Sequence, residues 1–355
     1  LEEDTAKSLH EPLGNPVSKF LETGFPSEYS LLDFNRAGVP LMELVTEPVM
    51  HTAEEAMKFA KELQLLLQYL GISGANMEKG EMRVEANISV SQTPGVEALQ
   101  TPGVLGTKVE VKNINSFKAV GKTIEYEFKR QVELLEKGEK VVQETRGWDE
   151  NVGATFSQRL KESAHDYRYF PEPDLPKLFI KEIPEFARTV LANSLPELPW
   201  EKRDRLLALG ISAEHVEIYI TQGEWGSLFE DVSKIIEDVE LLKLASNYIA
   251  TDLKKPVPAE SLVEVIDMVS REEVSSRGAK EILKLLQEDG GSPKQIAMEK
   301  KLMQISDRDM LKQIVEETIK ENNGTPIQFL IGQAMKKSEN RANPKILKEI
   351  FEELN

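Results

Sequence analysis

The chain has no cysteine among its 355 residues. Disulfides, zinc–thiolate sites and cysteine nucleophiles are therefore excluded for the residues present. No apolar run approaches the twenty or so residues that a membrane-crossing helix needs. Histidine is scarce, with four residues, so chemistry built on several imidazoles has little to draw on. Positive charge is also short: 44 Lys and Arg stand against 61 Asp and Glu, for a net charge of −17. A general nucleic-acid coat would want the opposite balance. There is no phosphate-cradling Gly-x-x-x-x-Gly-Lys-Ser/Thr, no dinucleotide glycine fingerprint, and no Ser/His/Asp set legible from spacing.

What is present is a folded composition, with 40% hydrophobic and 30% charged residues. The length calls for two or three domains. The chain opens on Leu1-Glu2-Glu3-Asp4 without an initiator methionine, which reads as a fragment whose N-terminal part lies upstream. Charge is unevenly spread. From Gly291 onward, 11 basic residues meet 10 acidic ones, for +1, and the residues before carry −18. Lys336, Lys337, Arg341, Lys345 and Lys348 face only Glu339 across 336–348. That cluster is either a solvated helical face or a local phosphate-contacting patch.

Thr52-Ala53-Glu54-Glu55 has capping-box spacing, and Ala56, Ala60, Leu63, Leu67 and Leu70 then repeat at four and three before Gly71. A helix is expected there. Met82 to Val90 alternates without a break: Met82, Val84, Ala86, Ile88 and Val90 on one face, Arg83, Glu85, Asn87 and Ser89 on the other. Lys108 to Lys112 alternates likewise. Pro94, Gly95, Pro102, Gly103 and Gly106 put a loop between. A second helix is expected from Ser116, with Phe117, Val120, Ile124, Phe128 and Leu135 inward, and a third strand over Val141–Trp148. Beyond about Ile183 strand signals stop and helical periods take over. Asn343-Pro344 reads as an N-cap and first-turn proline, with Ile346, Leu347, Ile350, Phe351 and Leu354 as the buried stripe. The expected class is α+β: a mixed-sheet domain over 1–185, an all-α helical domain over 186–290, and a small helical tail over 291–355, bounded by Gly290-Gly291-Ser292-Pro293.

Candidate chemistry sits on the polar strand faces. Arg83, Glu85, Asn87 and Ser89 form one row, and Lys108, Glu110 and Lys112 another, continued by Asn113, Asn115 and Ser116. In one sheet they would make a polar floor. Carboxylates there suit Mg²⁺, and Arg and Lys suit phosphate. The competing reading is a wet sheet face with cross-strand ion pairs. Asn35 and Arg36 lie in a turn-rich loop, and His165-Asp166-Tyr167-Arg168-Tyr169-Phe170 beside a proline-rich stretch would suit an adenine or an RNA end.

Six blocks occur in order: Leu1-Glu2-Glu3-Asp4-Thr5-Ala6-Lys7-Ser8; Asp33-Phe34-Asn35-Arg36-Ala37-Gly38-Val39-Pro40-Leu41-Met42-Glu43-Leu44-Val45-Thr46-Glu47-Pro48; Met82 to Val90; Lys112-Asn113-Ile114-Asn115-Ser116-Phe117; Gln143-Glu144-Thr145-Arg146; and His165 to Leu175. Together they closely resemble the B-subunit family of the aspartyl/glutamyl-tRNA(Asn/Gln) amidotransferases. Phe329 to Lys337 and Arg341 to Lys345 resemble that family's tail, so the likeness spans essentially the whole chain.

The resemblance implies a cradle-like catalytic domain followed by helical and tail domains. It implies ATP and Mg²⁺ as cofactors for phosphorylating the side-chain carboxylate of glutamate or aspartate mischarged on tRNA. It also implies a heterotrimer, with a glutaminase A subunit supplying ammonia and a small C subunit, and misacylated tRNA rather than DNA as the nucleic-acid partner. By matching position, Glu2, Glu3 and Glu85 are candidate metal ligands. Arg83, Glu85, Asn87, Lys112, Asn113, Asn115, Arg146 and Arg168 are candidates for the catalytic set, and Asn35, Arg36, Ser89, His165 and Tyr167 for nucleotide contacts. Lys336, Lys337, Arg341 and Lys345 are candidates for holding tRNA. The family pattern places a Gly-Leu-Glu-Val-His block with further metal ligands upstream of Leu1, and a larger residue where Gly147 stands. No membrane association is expected, and the compartment is the cytoplasm, with an organelle as the alternative. A non-catalytic tRNA-binding or assembly role in the same complex is the competing function.

Overall fold

The structure is a computed structural model that describes residues 2–3, 7–10, 30–91, 105–160, 177, 179–322 and 324–354. It divides into two compact units, Leu1–Ala60 with Arg83–His165, and Lys61–Met82 with Asp166–Asn355.

The first unit carries the strands. β1 (Glu2–Glu3) pairs antiparallel with β4 (Pro40–Leu41), and β2 (Lys7–His10) with β3 (Ser30–Asp33). Its main sheet has the order β5 (Val84–Ile88), β6 (Val109–Ile114), β7 (Glu144–Asp149), β8 (Ala154–Leu160). The β6–β7 pair is parallel and its neighbours are antiparallel, so the sheet is mixed. A parallel pair cannot be joined by a hairpin. The crossover is helix α2 (Phe117–Glu136; α1 is given below), started by Ser116, whose side chain accepts from the Ala119 amide. Helix α2 packs on one face of the sheet. Ala86, Ile88, Val109, Val111, Ala119, Val120, Val141 and Trp148 form the core between them.

Helix α1 runs Ala53–Tyr69. The expected capping box is present: Thr52 Oγ1 accepts from the Glu55 amide at 3.1 Å, and Glu55 Oε2 accepts from the His51 and Thr52 amides at 2.7 and 3.1 Å. Gly71 follows at φ +64°, where a residue with a Cβ would be strained. The division between units falls inside α1, after Ala60. From Lys61 on, the helix packs with helical neighbours: Arg203 grips Glu62 at 2.8 and 2.9 Å, and the Tyr69 hydroxyl donates to the Ile220 carbonyl at 3.1 Å.

The second unit is helical among its described residues: α3 (Arg188–Ser194), α4 (Pro199–Ala208), α5 (Ala213–Thr221), α6 (Gly223–Ser233), α7 (Val239–Thr251), α8 (Ala259–Ser270), α9 (Ser276–Asp289), α10 (Pro293–Glu299), α11 (Arg308–Glu321), α12 (Ile327–Lys337) and α13 (Pro344–Leu354). One core gathers Leu206, Tyr219, Phe229, Ile249, Leu262 and Ile282. A second gathers Leu311, Val315, Leu330, Leu347, Ile350 and Phe351 from the last three helices. None of the described helices is long and apolar enough to cross a membrane.

The α+β class expected from the sequence holds; three local expectations are corrected and one strand is added. The third strand is Glu144–Asp149 rather than Val141–Trp148. Strand β8 has no counterpart among the expected elements. It follows a turn in which Asp149 Oδ1 accepts from the Asn151 and Val152 amides and Gly153 adopts φ +69°. Phe128, expected inward, is 52% exposed. The inward positions of that helical turn are Glu127 and Gln131, because the sheet beneath carries Arg146 rather than an apolar residue. Leu354, expected in the buried stripe, is 40% exposed at the last position of α13.

Candidate active site on the open face of the mixed sheet

Register decides which side chains meet. Asn87 pairs with Glu110, Glu110 with Thr145, and Lys112 with Gly147, so these residues share the face that α2 leaves open. Between Val84 and Ala86 the register shifts, so that Lys112 and Asn113 together oppose Glu85. Asn113 accommodates the bulge at φ +61°, a left-handed conformation that asparagine tolerates better than most residues.

The result is a connected polar row. Lys112 Nζ lies 3.2 Å from Glu85 Oε1 and 3.7 Å from Glu110 Oε1. The Thr145 hydroxyl donates to Glu110 Oε2 at 2.8 Å. Arg83, Asn87 and Ser89 are exposed alongside, as are Asn113 and Asn115. Beside this row Gly147 has no side chain, and its space is taken by others: a Cβ there would lie 2.6 Å from Phe156 Cζ and 2.5 Å from Gln158 Nε2. A larger residue at 147 would have to push the half-exposed Phe156 ring aside.

Arg146 is not on this face. It pairs with Val111, points toward α2, and is nearly buried. Its guanidinium donates to Thr155 Oγ1 at 2.8 Å, to the Thr155 carbonyl at 2.9 Å, and to Glu144 Oε1. Glu127 is fully buried beside it and accepts from Arg130, Gln131 and Thr155. Burial alone would raise the Glu144 carboxyl, but hydrogen bonds from Ser157 and Arg146, with the Arg146 and Arg130 charges, outweigh it and hold the group below its ordinary range.

The remaining candidates lie on other elements or outside the described residues. Asn35 and Arg36 lie in an exposed turn between β3 and β4, where the Asn35 amide donates to Asp33 Oδ1 at 2.9 Å. Glu2 and Glu3 are placed by their backbone on β1. His165, Tyr167 and Arg168 lie outside the described residues. In the tail, Lys337 Nζ lies 2.8 Å from Glu321 Oε1, Lys345 Nζ 3.7 Å from Glu272 Oε1, and Arg341 Nε donates to the Met303 carbonyl at 3.2 Å. Lys336 is exposed and has no ion-pair partner among the described residues. Thr145 and Phe156 also belong to the open face, although the sequence does not mark them. Alternation along β6 is enough to place Glu110 there, whereas Thr145 and Phe156 require knowing that β7 and β8 follow β6 in the sheet.

Residues 1–184 match the GatB/GatE catalytic domain family, and residues 231–354 match the GatB domain family. Among similar proteins, the aspartyl/glutamyl-tRNA(Asn/Gln) amidotransferase B subunit of Crocosphaera subtropica is 38% identical over all of this chain and 72% of its own length. The protein of the same description from Persephonella marina is 37% identical over all of this chain and 74% of its own. A chloroplastic/mitochondrial glutamyl-tRNA(Gln) amidotransferase B subunit from Physcomitrium patens is 41% identical over 99% of this chain and 63% of its own. The chain belongs to the GatB family.

Proposed function

We propose that this chain is the carboxylate-activating subunit of a tRNA-dependent amidotransferase. The observation that carries the reading is the Glu85–Lys112–Glu110–Thr145 row on the open sheet face, inside the matched catalytic domain. A side-chain carboxylate is a poor acyl donor. Attack of a carboxylate oxygen of tRNA-linked glutamate or aspartate on the γ-phosphorus of ATP forms an acyl phosphate and releases ADP. Ammonia then attacks the acyl carbon and expels inorganic phosphate, leaving the amide. Neither step needs a protein nucleophile. Both need cations on the phosphates and fixed geometry around the transferring group.

The donor chemistry of the face fits Mg²⁺, because Glu85 and Glu110 offer hard oxygens and no competing thiolate is present. Among the described residues no group of three carboxylates or imidazoles comes together. The reading therefore gives Glu85 a ligand role shared with residues outside the row, Glu2 and Glu3 being the candidates. The ion would supply charge neutralisation on the phosphates. Lys112, held between two carboxylates, is placed to shift one of its contacts to a phosphate oxygen. Asn87 and Asn113 offer neutral donors on the same face, and Arg83 a cation, for phosphate or the aminoacyl end. Arg146 is removed from this set and given a supporting role. Residues 1–185 form the activating domain, and 186–290 and 291–355 hold the tRNA body. The ammonia-supplying and small companion subunits are the proposed partners.

The test is ADP release from Mg-ATP on adding glutamyl-tRNA(Gln) to the assembled complex. Glu85→Ala is expected to abolish release and leave tRNA affinity nearly intact. Release at the wild-type rate would remove Glu85 from the site and favour a chain that binds tRNA without catalysing.

A further inference from the structure

We propose that the buried charge network beneath β7, with Glu127 as its hub, is a positioning device that sets Thr145, and through it Glu110, on the open face. The proposal deepens the reading of that face as the site of carboxylate activation and rests on it.

Charges buried between a helix and a sheet are costly unless each one is bonded, and an apolar core of equal volume is often at least as stable. The same α2–sheet interface shows the cheaper solution a turn or two away, where Val109, Val111, Ala119 and Val120 pack. Under β7 it is replaced by a closed set. Glu127 Oε1 takes Arg130 Nε at 3.1 Å and Gln131 Nε2 at 3.0 Å; Oε2 takes Arg130 Nε at 3.0 Å and the Thr155 hydroxyl at 3.0 Å. Arg146 Nε stands 3.7 Å from Oε2. From this hub, bonds run to three strands. Arg146 and Glu144 belong to β7. Thr155, which receives two bonds from Arg146, belongs to β8. Gln131 bridges β5 and its continuation, donating to the Ile88 carbonyl at 3.2 Å and accepting from the Val90 amide at 3.1 Å.

The sheet needs that support at one place. β6 and β7 are parallel and share only three register positions, Glu110–Thr145, Val111–Arg146 and Lys112–Gly147. Parallel pairing is the weaker kind, and a slip of one residue would turn every side chain of β7 to the opposite face. On the other side, β7 meets β8 through a register shift between Thr145 and Arg146. Backbone pairing is thus short on one flank and irregular on the other at the residue whose hydroxyl aims Glu110. Arg146, next in sequence, is clamped below by Glu144, Thr155 and Glu127. That clamp fixes the rotation of β7 and keeps Thr145 Oγ1 at 2.8 Å from Glu110 Oε2.

Thr155→Val is the gentle probe, because it keeps the volume while removing the hydroxyl that joins Glu127 to Arg146. Thr145→Val removes the bond to Glu110. In the assembled complex each is expected to lower kcat for glutamyl-tRNA-dependent ADP release about tenfold with KM for tRNA unchanged, since misplacing a positioned group costs rate rather than uniform binding. The double variant is expected to be no slower than the slower single one, because both act through one bond. Fold losses that multiply, or a Thr155→Val enzyme that loses thermal stability with kcat intact, would reduce the network to a structural part. Hydrogen exchange at the β7 amides gives an arm independent of activity: Thr155→Val should speed exchange at Arg146 and Gly147 and leave Val109–Val111 slow. Unaltered β7 exchange would also overturn the proposal. Glu85→Ala, run in parallel, separates the two failures: wild-type turnover there sinks the site itself, whereas loss of turnover there with multiplicative Thr145 and Thr155 effects sinks only the positioning role.

Discussion

Glu144 and Arg146 stand two apart on β7 and share its buried side, and this makes the clearest single-residue prediction. The folded-state carboxyl of Glu144 lies below its ordinary value of 4.5. A depressed carboxyl contributes stability that is present above the unfolded value and is lost as pH falls through the folded one. Glu144→Gln is therefore expected to lower the urea midpoint at pH 7, and the gap to the wild type should narrow as pH drops below 4.5. A gap that stays constant between neutral and strongly acid pH would show that the carboxylate charge contributes nothing. The same pair shows where residue-level reading fails. Gln143-Glu144-Thr145-Arg146 reads as a polar stretch, and nothing local marks Arg146 as buried. Its partner Glu127 lies on α2, 19 positions earlier, in a helix whose Phe128 looks the better inward residue. By contrast, Glu85, Asn87 and Lys112 were legible, because strict alternation assigns a face without knowledge of any partner.

Elements were legible in proportion to their local signals. Helices α1 and α13 announce themselves through caps: Thr52 with Glu55, and Asn343, whose Oδ1 accepts from the Lys345 amide at 3.0 Å. Helix α2 begins where Ser116 says it should, and its cap has a testable cost. Ser116→Ala leaves the Ala119 amide without that acceptor and is expected to cost about 1 kcal/mol, read from the denaturant midpoint. A change below a few tenths would mean that water replaces the hydroxyl fully. Strand β8 is hidden because its short alternation is inverted: Ala154 and Phe156 share the face of Gly147, while the polar Thr155 and Ser157 share the face of Trp148 and Arg146 that α2 covers. It is a strand because β7 offers an edge and Gly153 turns the chain back onto it, which are tertiary facts. In the last helix the spacing was nearly sufficient: Leu347, Ile350 and Phe351 are almost wholly buried as their period requires, and Leu354 is the exception. Phe351→Ala should cost about 3–5 kcal/mol and uncouple α13 from α11 and α12, seen as early loss of protection in the last helix.

Charge distribution is the property of the whole chain that bears on its proposed partner. A protein at −17 repels RNA at long range, so any grip must be local. The near-neutral stretch from Gly291 to the end is the part that does not oppose such a grip. Within it the four tail candidates are unequal. Lys337 is matched by Glu321 across the α11–α12 packing, and Arg341 reaches a backbone carbonyl, so both are held by the fold itself. Lys336, at the end of α12, is exposed, and its charge is not offset by an ion pair among the described residues. If the tail contacts tRNA phosphates, Lys336→Ala should weaken binding uniformly across tRNAs. It should also reduce the slope of log K against log salt by roughly 0.7–0.9, the share of one phosphate contact. Lys337→Ala should change that slope less, because phosphate would have to compete with Glu321 for the ammonium. Equal slopes for the wild type and Lys336→Ala would return the cluster to a solvated helix end and place the tRNA grip elsewhere on the molecule.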